Sequence, residues 1–442
     1  VLDESLRAIS GFKGTEDLLD DKLLDNPFTS DCIRIKNISS APLYEQESSE
    51  DIKESAKAFQ SGSEQWSEMI EKHMPLILQH ISSMVRTAAV TCFAGITSSV
   101  FFSLLKETQE FIISSLIDSA LHDDVASVRS AACRAIGVIS CFPQVSQSAE
   151  IIDKFIHAVE INTHDPLVSV RITASWALAN ICDSIRHCID DFAFKPSIDS
   201  NANSHLMASL TESALNLTKD GDKIKSNAVR GLGNLSRFVK YTSSSHPASL
   251  GDSRWLERIV QALVSCVTTG NVKVQWNVCR ALSNLFLNET INLEDMDWAP
   301  SVFSILLLLL RDSSNFKIRI QAAAALAVPS SVSDYGKSFS DVVQGLEHIL
   351  ENLGADHLSA PSSFKYRVAL QKQKSSFLEE WFKVLCSSLG ESTTHLENEN
   401  NSVGNQKKEM ISKAIRSLIE VYEGRKQFAV AKKFEMMDSG IW

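Results

Sequence analysis

Three pairs of side chains with hydrogen-bonding or charged groups recur at a separation of four residues. They are Trp176 with Asn180, Arg230 with Asn234, and Arg280 with Asn284. Residues at positions i and i+4 of a helix lie on one face, so each pair would present its two side chains together. No nucleophile stands beside a base in these pairs, and the sequence supplies no such arrangement elsewhere. The pairs therefore indicate recognition, and we expect no catalytic residues.

One short segment contains residue types that can bind a metal ion. Cys182, His187 and Cys188 offer sulfur and nitrogen ligands within a short segment. Their spacing matches no standard zinc pattern, and no fourth ligand is evident. Packed thiols beside a surface histidine explain these residues better. We therefore expect neither a metal nor a cofactor.

A pattern that returns six times predicts the helices that must hold the three pairs. In each copy an aliphatic residue precedes a basic or polar residue, here called the marker, which is usually followed by Ala three positions on and by an aliphatic residue or Phe seven positions on. The markers of repeats 1 to 6 are Arg86, Arg129, Arg171, Lys225, Gln275 and Arg319, separated by 43, 42, 54, 50 and 44 residues. The apolar offsets fall within about 100° of one another on a helical wheel, so each copy is an amphipathic helix with one buried stripe.

A second apolar segment precedes most copies and predicts a helix pair in each repeat. Examples are residues 112–121, 151–161, 206–217, 259–267 and 302–310. Neither helix of a pair can cover its apolar side alone, so neighbouring pairs must stack to close a continuous core. The spacing is typical of paired-helix solenoids. The sequence therefore predicts an all-α fold, a solenoid of stacked helix pairs.

The predicted organisation has four parts. Residues 1–64 would hold a partial N-terminal repeat and an acidic, Ser-rich flexible loop, and residues 65–390 about six to seven repeats. Residues 391–408 read as a polar linker and residues 409–442 as a C-terminal helix and tail. The seventh repeat is interrupted by polar residues at 371–376. Because the chain opens on Val1 without a signal-like segment, we expect it to be a fragment lacking earlier repeats.

The turn inside each repeat has its own polar pattern. Asp123 and Asp165 each stand six residues before the markers Arg129 and Arg171. Asp165 followed by Pro166 predicts a helix N-cap with proline at the first helical position. The Asp and Arg residues could also pair between adjacent repeats, forming a ladder that sets their register. Exposed ion pairs contribute only about 0 to 1 kcal/mol each.

Several of these segments resemble known helical repeats. Residues 123–129 and 165–171, each leading into an Ala-rich helix, resemble HEAT repeats, whereas residues 176–181 and 281–285 resemble the third helix of armadillo repeats. Residues 273–279, 317–329 and 364–367 resemble the C-terminal half of the HEAT repeat-containing protein 6 family, and this similarity extends over most of residues 65–372. The resemblance implies an α-solenoid (superhelix) of HEAT/armadillo-like repeats.

The armadillo resemblance also suggests a role for the three pairs. In armadillo proteins such as importin-α, matching Trp and Asn pairs bind an extended peptide, and Trp176 with Asn180 is the best match here. Each Asn lies nine residues after its marker, roughly 110° to 150° from the buried stripe together with its partner, which predicts side chains pointing into an inner groove. Two of the three pairs carry Arg in place of Trp, which favours an acidic or phosphorylated segment. Alternatively, the Asn side chains bridge neighbouring helices and Trp176 packs on an adjacent repeat.

Composition narrows the partners and the compartment. The formal charge of −11 argues against a general binder of nucleic acid or anionic membranes, and no apolar stretch is long enough to span a bilayer. Several of the nine cysteines lie in predicted helices, which suits the reducing cytosol or nucleus. We therefore expect a non-catalytic scaffold or adaptor that binds other proteins, with an importin-like cargo receptor or an enzyme-associated regulatory subunit as alternatives.

Overall fold

The computed structural model describes residues 63–190, 201–237 and 252–326, together with parts of 328–345 and residue 416. Residues 1–62 of the predicted segment 1–64 lie outside the described residues. So do the predicted segments 391–408 and 409–442, apart from residue 416. The chain divides into two compact units, Val1–Leu235 and Ser236–Trp442. We describe each unit by itself.

Unit 1 holds repeats 1 to 4. Residues 63–72 are helical. The helices that follow are α1 (Met74–Leu78), α2 (Ser83–Phe93), α3 (Ser98–Ser103), α4 (Lys106–His122), α5 (Ala126–Ile139), α6 (Pro143–Ser146), α7 (Ala149–Thr163), α8 (Val168–Asp190), α9 (Asn201–Leu217) and α10 (Asp222–Leu235). The markers of repeats 1 to 4 lie in α2, α5, α8 and α10, which are the second helices of these repeats.

Unit 2 holds repeats 5 and 6. Its helices are α11 (Asp252–Thr269), α12 (Val272–Phe286), α13 (Ala299–Asp312), α14 (Phe316–Leu326) and α15 (Val332–Tyr335), with 3₁₀ turns at Leu293–Asp295 and Gly336–Ser338. Helix α11 packs on α12 and α13 on α14, and the second helices α12 and α14 also contact each other. The described residues contain no strand, so the predicted all-α solenoid class is confirmed.

The predicted Ala stripe forms the core of unit 1. Ala132, Ala174 and Ala228 each lie three residues after their marker, and each is completely buried. Small side chains at this position let α2, α5, α8 and α10 pack directly on one another in sequence. Larger aliphatic residues such as Ile136 are also completely buried, and each stabilises the fold by about 1.5 to 3 kcal/mol.

The turn before each second helix differs from the N-cap prediction. Helix α8 begins at Val168, three residues after Asp165, so Pro166 is not at the first helical position. Oδ1 of Asp165 accepts a hydrogen bond from the backbone N–H of Leu167 at 2.8 Å. Asp123 holds the backbone N–H of Val125 in the same way at 2.9 Å. The N-cap prediction was wrong because each carboxylate closes a turn ahead of the helix and also accepts from an arginine of the preceding repeat.

Gly137 in α5 lies at a close approach between repeats 2 and 3. A Cβ atom at Gly137 would lie 2.7 Å from the ring of Trp176 and 2.8 Å from the Cα of Ala177. Gly231 in α10 has ordinary space, because its Cβ would lie 3.5 Å from Leu178 and 3.6 Å from Cys182. Gly231 can therefore be replaced by a larger residue, whereas Gly137 cannot.

Substituting these two helical glycines should change stability in opposite directions. Gly137→Ala forces α5 and α8 apart, an overpacking cost of about 1 to 3 kcal/mol that outweighs the helix-propensity gain of at most about 1 kcal/mol. Gly231→Ala gains the propensity without the clash, so its free energy of unfolding should rise by up to about 1 kcal/mol. Urea unfolding of both variants checks this. Equal shifts of the same sign would show that Gly137 is not a contact between repeats.

Candidate functional site

Trp176 is almost fully buried in unit 1. Only 7% of its surface is exposed, and its ring lies against the backbone of Gly137. The guanidinium carbon of Arg134 lies 5.1 Å from the ring centroid, from the preceding repeat. The prediction that the Trp176 side chain points into an inner groove was therefore wrong. Its ring is a packing surface between two second helices, and an arginine covers its outer side.

Asn180 lies on the seam between second helices and not on a free surface. It is completely buried, and its Nδ2 donates to the carbonyl oxygen of Gly137 at 3.0 Å. Its Oδ1 accepts a hydrogen bond from Nη2 of Arg230, which also donates to the Trp176 carbonyl at 3.4 Å. One side chain thus joins repeats 2, 3 and 4. Both polar ends of the amide are used within the protein.

Asn234 has the same kind of place in the next repeat. It is 3% exposed, and its Nδ2 donates to Oδ1 of Asp183 at 3.0 Å. The predicted groove position was wrong for Asn180 and Asn234 because their offset from the marker faces the neighbouring second helix. A helical wheel of one helix does not contain that neighbour. The structure shows the bridging arrangement that was the alternative interpretation.

The third predicted pair lies in unit 2. Arg280 and Asn284 are half-buried on α12. The guanidinium carbon of Arg280 lies 4.9 Å from the ring centroid of Trp276, one helical turn earlier on the same helix. Trp276 is half-buried as well. This pair therefore keeps part of its polar surface accessible, unlike Asn180 and Asn234.

Arginine and aspartate side chains tie consecutive turns together in unit 1. Nη2 of Arg129 lies 2.7 Å from Oδ2 of Asp165 in the next repeat, while its Nη1 donates to the Asp123 carbonyl at 2.9 Å. Arg171 makes the equivalent contact with Asp220, Nε to Oδ2 at 2.8 Å. Each arginine thus binds its own turn and the turn that follows.

The first contact in this series is Arg86 Nε with Oδ2 of Asp123, also at 2.8 Å. Arg86 and Asp220 were not predicted as members of the ladder, although Asp220 stands only one residue out of register, five residues before the marker Lys225. The hydrogen bond from Arg171 lowers the pKa of Asp220, with partial burial opposing it. The ladder therefore joins four successive turns.

Arg134 is a further residue that was not predicted from the sequence. It lies five residues after its marker, as do Trp176 and Arg230 in the next two repeats. Arg134 is exposed and Arg230 is half-buried, so a cation lies on each side of the tryptophan. We call Arg134, Trp176 and Arg230 the arginine face. Comparing the same offset in all repeats, and not only in the three Asn-containing ones, would have found it.

The buried thiols do not suit nucleophilic chemistry. Burial raises the pKa of Cys133 and of Cys182 to about 12, and that of Cys141 to about 11. A thiol with such a pKa stays protonated near neutral pH. Within residues 63–190, 201–237, 252–326 and the few later described positions, no three His, Cys, Asp or Glu side chains are grouped to hold a metal ion. In that same part of the chain, every helix is too short or too polar to cross a bilayer.

Comparison with known proteins gives a distant relative. No protein-family model matches the chain. An uncharacterized protein of Dictyostelium discoideum is 26% identical over 393 residues, covering 65% of this chain. This chain covers only 25% of that protein's length, and the relative's name assigns no activity.

Similar solved structures include engineered and designed proteins. An engineered protein is 16% identical with a TM-score of 0.44, covering 99% of this chain and 93% of that chain. A designed armadillo repeat protein is 19% identical with a TM-score of 0.39 over 58% and 98% of the two chains, and another, in complex with the peptide (KR)4, is 21% identical with a TM-score of 0.34 over 54% and 95%. Such likenesses assign no ligand to this chain. By its own helices, the chain is a helical repeat protein.

Proposed function

We propose that this protein is a non-catalytic scaffold that binds protein partners by holding an extended acidic segment along the second helices of unit 1. The observation that carries the proposal is the arginine face. Arg134 and Arg230 come from repeats on either side of Trp176, and both contact it. The Trp176 ring is covered, so the exposed Arg134 would make the contact, because a guanidinium group can bind a carboxylate through charge-assisted hydrogen bonds.

The spacing of the repeats fits an extended ligand. Packed helices lie about 8 to 10 Å apart, and an extended chain advances about 3.3 Å per residue. A peptide running across α5, α8 and α10 would therefore meet a new repeat at about every third residue. Acidic residues at that period would reach Arg134 and Arg230 in turn.

The armadillo-like use of asparagines is not part of this proposal for unit 1. Asn180 and Asn234 are engaged with the protein itself. Arg280 and Asn284, which are half-buried, remain candidates for a separate contact in unit 2. The ligand would therefore be recognised chiefly by charge, and its binding should weaken with salt.

A set of matched peptides tests the proposal. Three 12-residue peptides carry Glu, Gln or Lys at every third position, and their affinity for the whole chain is measured by fluorescence anisotropy at low and physiological salt. We expect the Glu peptide to bind, and Arg134→Glu to weaken it by about 10-fold or more, as the loss of a charge-assisted contact does. Equal affinity for the Gln or Lys peptide would refute an acidic ligand.

Arg258 provides the matched control for charge reversal. It is exposed on α11 in unit 2, and its guanidinium carbon lies 4.6 Å from the ring centroid of Trp255. Arg258→Glu therefore makes the same change of charge in the same kind of stack. Its affinity for the Glu peptide should equal that of the unchanged protein. An equal loss in both variants would mean that net charge, and not the arginine face, controls binding.

We also propose a family and a cellular compartment for this protein. Membership of the HEAT repeat-containing protein 6 family is supported by the residues that resemble it at 273–279 and 317–329. A cytosolic or nuclear location is supported by buried cysteine thiols such as Cys133 and Cys279, which form no disulfide and suit a reducing compartment. Fractionation of cells expressing the chain would test the location.

A further inference from the structure

The turns between the first and second helices of repeats 1 to 3 are held in line by the marker arginines. In each turn, Nη1 of the marker arginine donates to the carbonyl oxygens of two consecutive residues. These acceptor pairs are His80 with Ile81, Asp123 with Asp124, and Asp165 with Pro166. Arg86 and Arg129 also bind the carboxylate of the next turn. The turns and the helix ends beside them therefore form one continuous edge of unit 1, and we call residues 76–84, 117–127 and 161–169 the turn edge.

Large apolar side chains are exposed along the turn edge. Ile81, in the turn of repeat 1, is 95% exposed. The exposed apolar side chains form one group in repeat 1 and one in repeat 3, which are Leu76, Ile81 and Met84, and Ile161, Leu167 and Val168. Among the described residues of unit 1, the other large apolar side chain that is exposed is Leu105, on the loop before α4. Exposed apolar side chains that are concentrated on one part of a surface mark an interaction site, whereas scattered ones do not.

Acidic side chains separate the two apolar groups. Asp118 and Asp124 of repeat 2 are both exposed. Arg86 contacts both Asp123 and Asp124, so one positive charge faces two negative charges, and the arginine side chain is mostly buried. The three stretches of the turn edge contain no Lys or Arg. The middle of the turn edge is therefore negatively charged, which repels an anionic membrane and attracts a basic residue.

We infer that the turn edge binds an amphipathic helix of a partner protein, with apolar side chains toward both ends of its contact face and Lys or Arg at the centre. The apolar ends of such a helix would cover the groups in repeats 1 and 3, and the basic residue would lie against Asp118 and Asp124 of repeat 2. This surface is additional to the arginine face, and the inference does not rest on the proposed function.

The spacing of the repeats fits a helix laid across the turn edge. Packed helices lie about 8 to 10 Å apart, and seven residues of an α-helix rise about 10.5 Å. Residues i, i+7 and i+14 of the ligand helix share one face, so they would meet repeats 1, 2 and 3 in turn. Residues at i+3 and i+4 add further side chains to that face, which suits two groups of several apolar side chains. A strand presents one side chain per about 6.6 Å on each face, which is too sparse to cover these groups.

Three matched peptides test the inference against the whole chain. Each is a helix of about 18 residues with leucines toward both ends of one face, and the central residue of that face is Lys, Gln or Glu. Affinity is measured by fluorescence anisotropy near about pH 8, where imidazole side chains carry little charge. We expect the Lys peptide to bind about 10-fold more tightly than the Glu peptide, and Asp124→Lys to reverse that order.

Substitutions of the exposed apolar residues locate the contact. Ile81→Ser and Leu167→Ser should each weaken binding of the Lys peptide by about 10-fold, because serine removes apolar surface that the ligand would bury. Leu308→Ser is the matched control, since Leu308 is an exposed leucine on α13 in unit 2, and its affinity for the Lys peptide should be unchanged. Asp153, exposed on α7 outside the turn edge, provides the control for charge reversal. Asp153→Lys should keep the preference for the Lys peptide.

Several outcomes would overturn the inference. They are equal affinity for the Lys and Glu peptides, failure of all three peptides to bind, unchanged binding by both serine variants of the turn edge, an equal loss in Leu308→Ser, and a reversed preference in Asp153→Lys. A second copy of the chain is the other occupant to distinguish, and sedimentation does so. We expect the unchanged chain and Ile81→Ser to sediment alike. A dimer that Ile81→Ser converts to a monomer would assign the turn edge to a second copy and overturn the partner helix.

Discussion

Asp165→Ala should lower the free energy of unfolding by about 3 kcal/mol, because it removes one partner of a nearly buried ion pair. The Asp165 side chain is 5% exposed and that of Arg129 is 18% exposed. The substitution leaves the guanidinium group without its carboxylate and also frees the backbone N–H of Leu167. The substitution therefore removes both the ion pair between repeats 2 and 3 and the hydrogen bond that closes the turn before α8. Urea denaturation of the whole chain measures the effect.

Asp124 is the control for this prediction. It also contacts an arginine, Arg86, at 2.8 Å, but its side chain is 85% exposed. Solvent screens such a pair, so Asp124→Ala should change the free energy of unfolding by less than about 0.5 kcal/mol. Similar losses in the two variants would mean that burial does not set the strength of the ladder.

Asn180→Ala should destabilise the protein by about 2 to 4 kcal/mol. The completely buried amide bonds the Gly137 carbonyl and Arg230, and removing it leaves polar groups of both neighbouring repeats short of a partner in a buried seam. A buried unsatisfied group costs about 1 to 3 kcal/mol, and more when it is charged. The measurement is again the free energy of unfolding in urea.

Asn216 on α9 supplies the comparison, since it is an exposed asparagine in a first helix. Asn216→Ala should be neutral within about 0.5 kcal/mol. If Asn180→Ala were equally neutral and instead abolished peptide binding, Asn180 would be a ligand contact in a groove. The assignment of Asn180 to the seam between second helices would then be wrong.

The helical repeats could be predicted because their cause is local and repeated. Apolar residues at fixed offsets from each marker define a buried stripe whatever surrounds the helix, and Ala132, Ala174 and Ala228 lie in the core as expected. The first helices could be predicted from the apolar segments that precede most copies of the pattern. The interaction between Arg129 and Asp165 was also foreseeable, since residue types and spacing recur from one repeat to the next.

The direction of the remaining side chains could not be predicted in the same way. Whether a position away from the stripe meets solvent or a neighbouring second helix depends on how closely the repeats approach. That distance is set by residues such as Gly137, which no wheel of α8 includes. Asn180 therefore lies in the seam. Arg134 was overlooked because it has no asparagine four residues later, although it is the exposed arginine of the arginine face.

Mapping the peptide by photo-crosslinking tests the central claim most directly. The 12-residue Glu peptide carries a diazirine at its centre, and the adducts on the whole chain are located by mass spectrometry. The proposal predicts adducts on the second helices of unit 1, within residues 131–134, 173–176 and 227–230. Adducts confined to the first helices α4, α7 and α9 would contradict it.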